Sequence, residues 1–165
     1  MTQGPFRILF LCVGNSARSI LAEAILSRFG AGRFRAFSAG IQPRGEIHPL
    51  TLELLATLGI PASGLRSKGL HEFAGTEVPA MDAVISVCEE SAALAFPALP
   101  GSPVTAHWDI PDPARIDWDD TASRASFLDA YLALQSRITR LVALPFGAMD
   151  RGTLRNRLEE IGRTA

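Results

Sequence analysis

The sequence predicts an α/β fold on a parallel, doubly wound sheet, and three observations lead there. Short apolar runs bounded by glycine and proline recur along the chain and read as buried strands. Stretches with apolar residues at helical spacing separate them, and strands alternating with helices favour parallel pairing. The composition, 47% hydrophobic and 20% charged over 165 residues, suits one globular domain whose core needs no disulfide or metal staples. A single domain over 1–165 is therefore expected.

The elements follow in order. Phe6 to Cys12 is an apolar run between Pro5 and Gly14, the first strand. Leu21, Ala22, Ile25, Leu26 and Phe29 then fall at helical spacing, and Gly30 and Gly32 close the helix. Residues 33–38 predict a second strand, ending in Ala39-Gly40. His48-Pro49 opens a helix with Leu50, Leu54, Leu55 and Leu58 facing inward, stopped by Gly59 and Pro61. Residues 82–88 form a third strand and 104–108 a fourth. A long helix over 121–144 carries Phe127, Tyr131, Leu134, Ile138 and Leu141 in steps of four and three.

Several function classes are disfavoured at once. A net charge of −1 supplies no basic face for nucleic acid and no charge block for a membrane surface. Apolar runs fall far short of the roughly twenty residues a membrane span needs. Met1 to Pro5 is too short and polar for a signal peptide, and two cysteines build no secreted disulfide framework. A reducing cytoplasm is the expected compartment. Of the sixteen basic residues fifteen are arginine, and the one lysine is Lys68.

Doubly wound sheets hold ligands beyond the carboxyl ends of their strands, and both cysteines sit at such ends. Cys12-Val13-Gly14-Asn15-Ser16-Ala17-Arg18-Ser19 sets a cysteine and an arginine five residues apart. The bare spacing would arise by chance in about one sequence in five of this composition, so context decides. The cysteine ends a strand, small and turn-forming residues intervene, and the arginine enters a helix. Such a loop turns successive N–H groups inward as an anion nest at a helix N-terminus. Arg18 adds a two-pronged contact that lysine does not reproduce. The same field favours the Cys12 thiolate, the attacking form, with Ser19 donating to the sulfur. No GxGxxG or Walker loop is present, so no nucleotide cofactor is expected.

Residues 10–24, Phe-Leu-Cys-Val-Gly-Asn-Ser-Ala-Arg-Ser-Ile-Leu-Ala-Glu-Ala, resemble the signature of the low-molecular-weight tyrosine phosphatase superfamily. Phe37-Ser38-Ala39-Gly40, the stretch 64–68, Val87-Cys88 and the stretch 107–114 resemble its arsenate reductase branch in order and approximate spacing. The likeness runs from about Arg7 to Leu144, and the tail, from about 146, resembles a short C-terminal extension seen in some members. The resemblance implies a three-layer, four-stranded parallel sheet flanked by helices. It also implies Asp112 as general acid, a carboxyl facing the nucleophile that protonates the departing oxygen. Asp112-Pro113 by itself reads only as a turn.

Both branches share Cys12, Arg18 and Asp112. A phosphatase hydrolyses its cysteinyl phosphate with water, whereas a reductase needs a second thiol to attack the first sulfur. Cys88 falls where the resemblance implies that thiol; without the resemblance it reads as a small buried hydrophobe. Family phosphatases follow Asp-Pro with an aromatic wall, and here Ala114 and Arg115 follow, which suits a small oxyanion such as arsenate or phosphate. The thioredoxin-coupled reductases carry a third cysteine, and Phe96 stands at the matching position. The resemblance then implies a Cys12–Cys88 disulfide reduced by a thioredoxin-like or glutaredoxin-like protein, or an adduct resolved by a small thiol. Phosphomonoester hydrolysis and a non-catalytic oxyanion-binding or redox-sensing module stand as alternatives.

Some reductases of the branch hold potassium with residues matching Asn15, Glu23, Ser38 and an acidic residue near position 68. Here the Lys68 ammonium is placed to take the cation position, or else lies solvated at the surface. His48, His71 and His107 lack metal-ligand spacing and read as structural or capping. Asp117, Asp119 and Asp120 read as charge at a helix N-terminus rather than a metal site.

Overall fold

A computed structural model describes residues 4–75, 77–89, 99–115 and 120–163. The strands are β1 (Phe6–Cys12), β2 (Phe34–Gly40), β3 (Ala83–Ser86) and β4 (Val104–His107). The helices are α1 (Arg18–Phe29), α2 (Pro49–Thr57), α3 (Asp120–Val142) and α4 (Arg151–Arg163). Short 3-10 turns cover Leu70–Phe73, Pro113–Arg115 and Phe146–Ala148. All strand pairs are parallel, in the order β2-β1-β3-β4. The order reverses between β1 and β3, so the crevice where such sheets bind ligands opens beyond Cys12 and beyond the end of β3.

Period-two alternation divides the strands between two cores. Ile8, Phe10, Cys12, Ala83 and Ile85 face one side, where Leu21 and Ile25 of α1, Leu55 of α2, and Leu134, Ile138 and Leu141 of α3 cover them. Leu9, Leu11 and Val84 face the other side, against Leu70 and Phe73 of the first 3-10 turn, Met81 and Leu99. Among the described residues, the four α-helices contribute to the first core only.

Several expectations shift at the edges. β2 runs to Gly40, whose N–H donates to the Lys68 carbonyl at 2.9 Å. β3 stops at Ser86, although Val87 still donates to Leu11 at 2.9 Å, and Cys88 follows the strand rather than ending it. β4 ends at His107, one residue early. Of the α2 leucines expected to face inward, only Leu55 is buried, Leu50 and Leu54 are half-buried, and Leu58 is 37% exposed. The helix ends at Thr57, so Leu58 leaves the buried stripe as the C-cap. Phe29 is 47% exposed for a similar reason, as the last residue of α1. His48 caps α2 through Nδ1, which accepts from Leu50 N at 3.0 Å, and Pro49 occupies the first turn.

The tail forms α4, with Leu154, Leu158 and Ile161 buried on one stripe. Burying side chains of this size is worth about 1.5–3 kcal/mol each, which holds a helix too short to persist alone in water. Among the described residues, no helix is long and apolar enough to cross a membrane. Phe96, Asp117 and Asp119 lie outside the described residues.

Candidate active site

Cys12 ends β1 and Arg18 begins α1, so five residues must turn the chain from strand to helix. The turn is carried by Asn15 at φ 47°, a left-handed conformation that asparagine tolerates better than most residues. The carbonyls of Cys12, Val13, Gly14, Ser16 and Ala17 are drawn outward or into the helix. Cys12 O accepts from Ile41 N at 3.1 Å, Val13 O from Gln42 N at 2.9 Å, and Gly14 O from Arg44 N at 2.9 Å. Ser16 O accepts from His48 N at 3.0 Å and from Thr51 Oγ1 at 2.9 Å, and Ala17 O from Leu21 N at 2.8 Å. With these carbonyls engaged, the loop N–H groups turn to the concave side, where that of Asn15 donates to Cys12 Sγ at 3.2 Å. The α1 N-terminus has no side-chain cap, which is what an anion site requires. Gly40 allows the close approach of β2, because a Cβ there would lie 2.6 Å from Val13 O.

Beneath the loop lies a buried polar network. Asn15 Nδ2 donates to Ser19 Oγ at 2.8 Å and to Ser38 Oγ at 3.0 Å, and Asn15 Oδ1 accepts from Lys68 N at 2.8 Å. Ser38 Oγ donates to Glu23 Oε1 at 2.5 Å. Lys68, only 8% exposed, extends Nζ to Arg66 O at 2.9 Å, Ser38 Oγ at 3.4 Å and Glu23 Oε1 at 3.5 Å. It is not a solvated surface lysine. The ammonium already engages the Glu23 carboxylate and Ser38, so these residues do not fit an added cation. Among the described residues no group of three or more His, Cys, Asp and Glu side chains could hold a metal ion.

Cys12 is 3% exposed, and its Sγ lies 2.8 Å from Ser19 Oγ and accepts from Asn15 N at 3.2 Å. Burial pushes its thiol up; the Ser19 and Asn15 hydrogen bonds pull it back in part, and nearby Cys88 adds to the rise. The thiolate-favouring field read from the sequence is thus outweighed by desolvation. Arg18 Nη1 donates to Ile110 O at 3.0 Å and its Nη2 lies 3.7 Å from Asp112 Oδ2. Asp112 is half-buried, and its Oδ1 accepts from Ala114 N at 3.0 Å.

Cys88 is fully buried, in the same cluster as Cys12. The β1–β3 register pairs Leu11 with Ser86, so Cys88 follows one residue beyond the point opposite Cys12. Adjacent parallel strands lie about 4.8 Å apart, which puts such neighbours in the range a disulfide spans, below about 7 Å between Cα atoms.

A cavity of about 350 Å³ opens over the loop, lined by Cys12 to Arg18 together with Gln42, Arg44, Asp112 and Ala114. The sequence offered no signal for Gln42, Arg44 or Thr51, which reach the loop from segments outside any motif. Arg44 packs across Gly14, and its charge together with burial keeps His48 below the usual imidazole range, burial being the larger cause. Among the described residues no aromatic side chain lines this cavity.

Residues 7–144 match the family model described as low molecular weight phosphotyrosine protein phosphatase. An arsenate reductase of Staphylococcus epidermidis is 31% identical over 113 residues, 68% of this chain and 82% of that protein. The crystal structure of an arsenate reductase from Archaeoglobus fulgidus aligns with a TM-score of 0.67 at 26% identity, covering 83% of this chain and 99% of that one. A thioredoxin-dependent arsenate reductase of Corynebacterium glutamicum aligns at 0.61 and 26%, covering 86% of this chain and 62% of that one. The chain belongs to the low-molecular-weight phosphotyrosine protein phosphatase family.

Proposed function

We propose that this member of the family is an enzyme that reduces arsenate to arsenite, using Cys12 and Cys88 as a redox pair. One observation carries the reading: the second cysteine is buried beside the first, at the crevice between adjacent parallel strands. Hydrolysis of a cysteinyl phosphate by water does not require that neighbour.

Arsenate enters the loop with its oxygens on the backbone N–H groups of residues 13–19 and on Arg18. The Cys12 thiol passes its proton to an arsenate oxygen as the sulfur attacks arsenic. One As–O bond breaks, and Asp112 protonates the departing oxygen, which leaves as water. The Cys88 thiol then attacks Cys12 Sγ, its proton passing to an arsenic-bound oxygen, and the S–As electron pair passes to arsenic. Arsenic goes from the +5 to the +3 state and leaves as arsenite, taking the Cys88 proton, while the two thiols become a disulfide. An external thiol reductant restores both thiols; the Corynebacterium relative supports a protein of the thioredoxin type. A reducing cytoplasm supplies such partners and is the compartment this reading assigns. Asn15, Glu23, Ser38 and Lys68 support the loop from below, and residues 1–165 are read as one domain.

A single turnover of the reduced protein with arsenate and no added thiol tests the scheme. Stoichiometric arsenite with loss of both thiols is expected, and Cys88→Ser should release none. Retention of both thiols with no arsenite would remove the redox pair, and full aryl phosphate hydrolysis by Cys88→Ser would then assign the loop to phosphate esters.

A further inference from the structure

We propose that the C-terminal helix α4 positions the acid loop, acting through Leu158, Gly162 and Trp108 on Asp112; this rests on the reading of Asp112 as general acid. The family match ends at residue 144, so α4 lies wholly beyond it.

The helix docks on β4, the edge strand from which the acid loop emerges. The Trp108 indole N–H donates to Leu158 O at 2.9 Å, and His107 N donates to Glu159 Oε1 at 3.3 Å. The contact is backbone-close. A Cβ on Gly162 would lie 2.5 Å from His107 O and 2.6 Å from Trp108 Cδ1, so no other residue fits there without moving the helix. Trp108 and Ile110 are both fully buried, and Ile110 O holds Arg18 Nη1 at 3.0 Å. Asp112 follows two residues later, 3.7 Å from the Arg18 guanidinium. The exit of β4 is therefore clamped by α4 at residues 107–108 and by Arg18 at residue 110, and the acid hangs from the end of that clamp. Glu159 and Leu158 together also cover part of an edge that would otherwise stay open.

A helix that merely added stability would not discriminate among catalytic groups, and a double-mutant cycle does. Gly162→Ala wedges the docking surface while favouring the helix itself, since alanine is the better helix former. In single-turnover disulfide formation with arsenate, Gly162→Ala should slow the reaction about ten-fold, because small misplacements of a reacting group cost that much or more. Affinity for inorganic phosphate, read by titration, should stay within about two-fold, since the loop N–H groups do not depend on α4. In an Asp112→Ala background the same change should slow the reaction by less than about two-fold. Equal factors in both backgrounds, or no slowing by Gly162→Ala, would overturn the proposal. If Gly162→Ala loses its cooperative melt, Trp108→Phe, which keeps an aromatic ring and removes the indole donor, carries the same cycle. An Asp112→Ala protein as fast as wild type would instead sink the acid assignment, and this inference with it.

Discussion

The oxyanion loop and the acid loop face each other across one cavity and are held in unlike ways. Residues 12–19 are tied from three sides: β2 and the segment after it hold the carbonyls, α2 holds Ser16 O, and the Asn15 network fills the space below. Among the described residues the acid loop has sparser anchors, chiefly the Arg18–Ile110 hydrogen bond, the turn at Asp112 and the packing of Trp108 under α4. Binding an oxyanion requires many donors fixed before the ligand arrives. Protonating a departing oxygen requires one group that approaches at the right moment. The contrast therefore separates what recognises the ion from what moves protons.

Substitutions on each side should separate accordingly. Arg18→Ala is expected to have the largest effect, a loss of about 10³-fold in arsenate turnover with phosphate affinity falling alongside it. Titration and single-turnover rates measured on one sample would check the pairing. Asp112→Asn should cost about 10²-fold in turnover and leave phosphate affinity nearly unchanged. Comparable losses of affinity in both variants would collapse the distinction between the loops.

The network below the loop makes a thermodynamic prediction. Lys68→Met strands Glu23, whose side chain is 14% exposed, without its cation. Removing one partner of a buried pair typically costs about 3–5 kcal/mol, observable as a lower urea midpoint. A double change, Lys68→Met with Glu23→Gln, should recover part of that loss.

The smallest effect concerns Cys12. Because burial raises the thiol above its ordinary value, alkylation by iodoacetamide should accelerate with pH and inflect above the usual range of about 8.5. Ser19→Ala removes a hydrogen bond that lowers the thiol, so the inflection should move further up. The sign for stability follows from linkage: the fold favours the protonated form. Its contribution is complete below the unfolded thiol value and fades as pH rises through the folded one. Urea midpoints measured across pH 7 to 10 would show the decline, and a flat profile would contradict it.

Much of this arrangement is visible in local patterns. The β1 run, the small residues of the loop and the α1 spacing lie within twenty-odd consecutive residues, and their geometry follows from backbone rules acting over that distance. His48-Pro49 announces α2 equally well. Leu58 and Phe29 show where periodicity misleads, since a stripe continues in sequence after its helix has ended in space. Arg44, Gln42 and Thr51 carried no signal because the first two meet the loop through main-chain pairing and Thr51 through its hydroxyl, between segments about thirty residues apart.

The sequence alone determined the strand–loop–helix that carries Cys12 and Arg18, because its hydrogen bonds and dihedral demands are local. Only the tertiary structure decided that burial wins over the anion-attracting field at Cys12, that Lys68 points inward to Glu23, and that α4 grips Trp108. Desolvation and pairing depend on what surrounds a group in space, and those surroundings come from segments far apart along the chain.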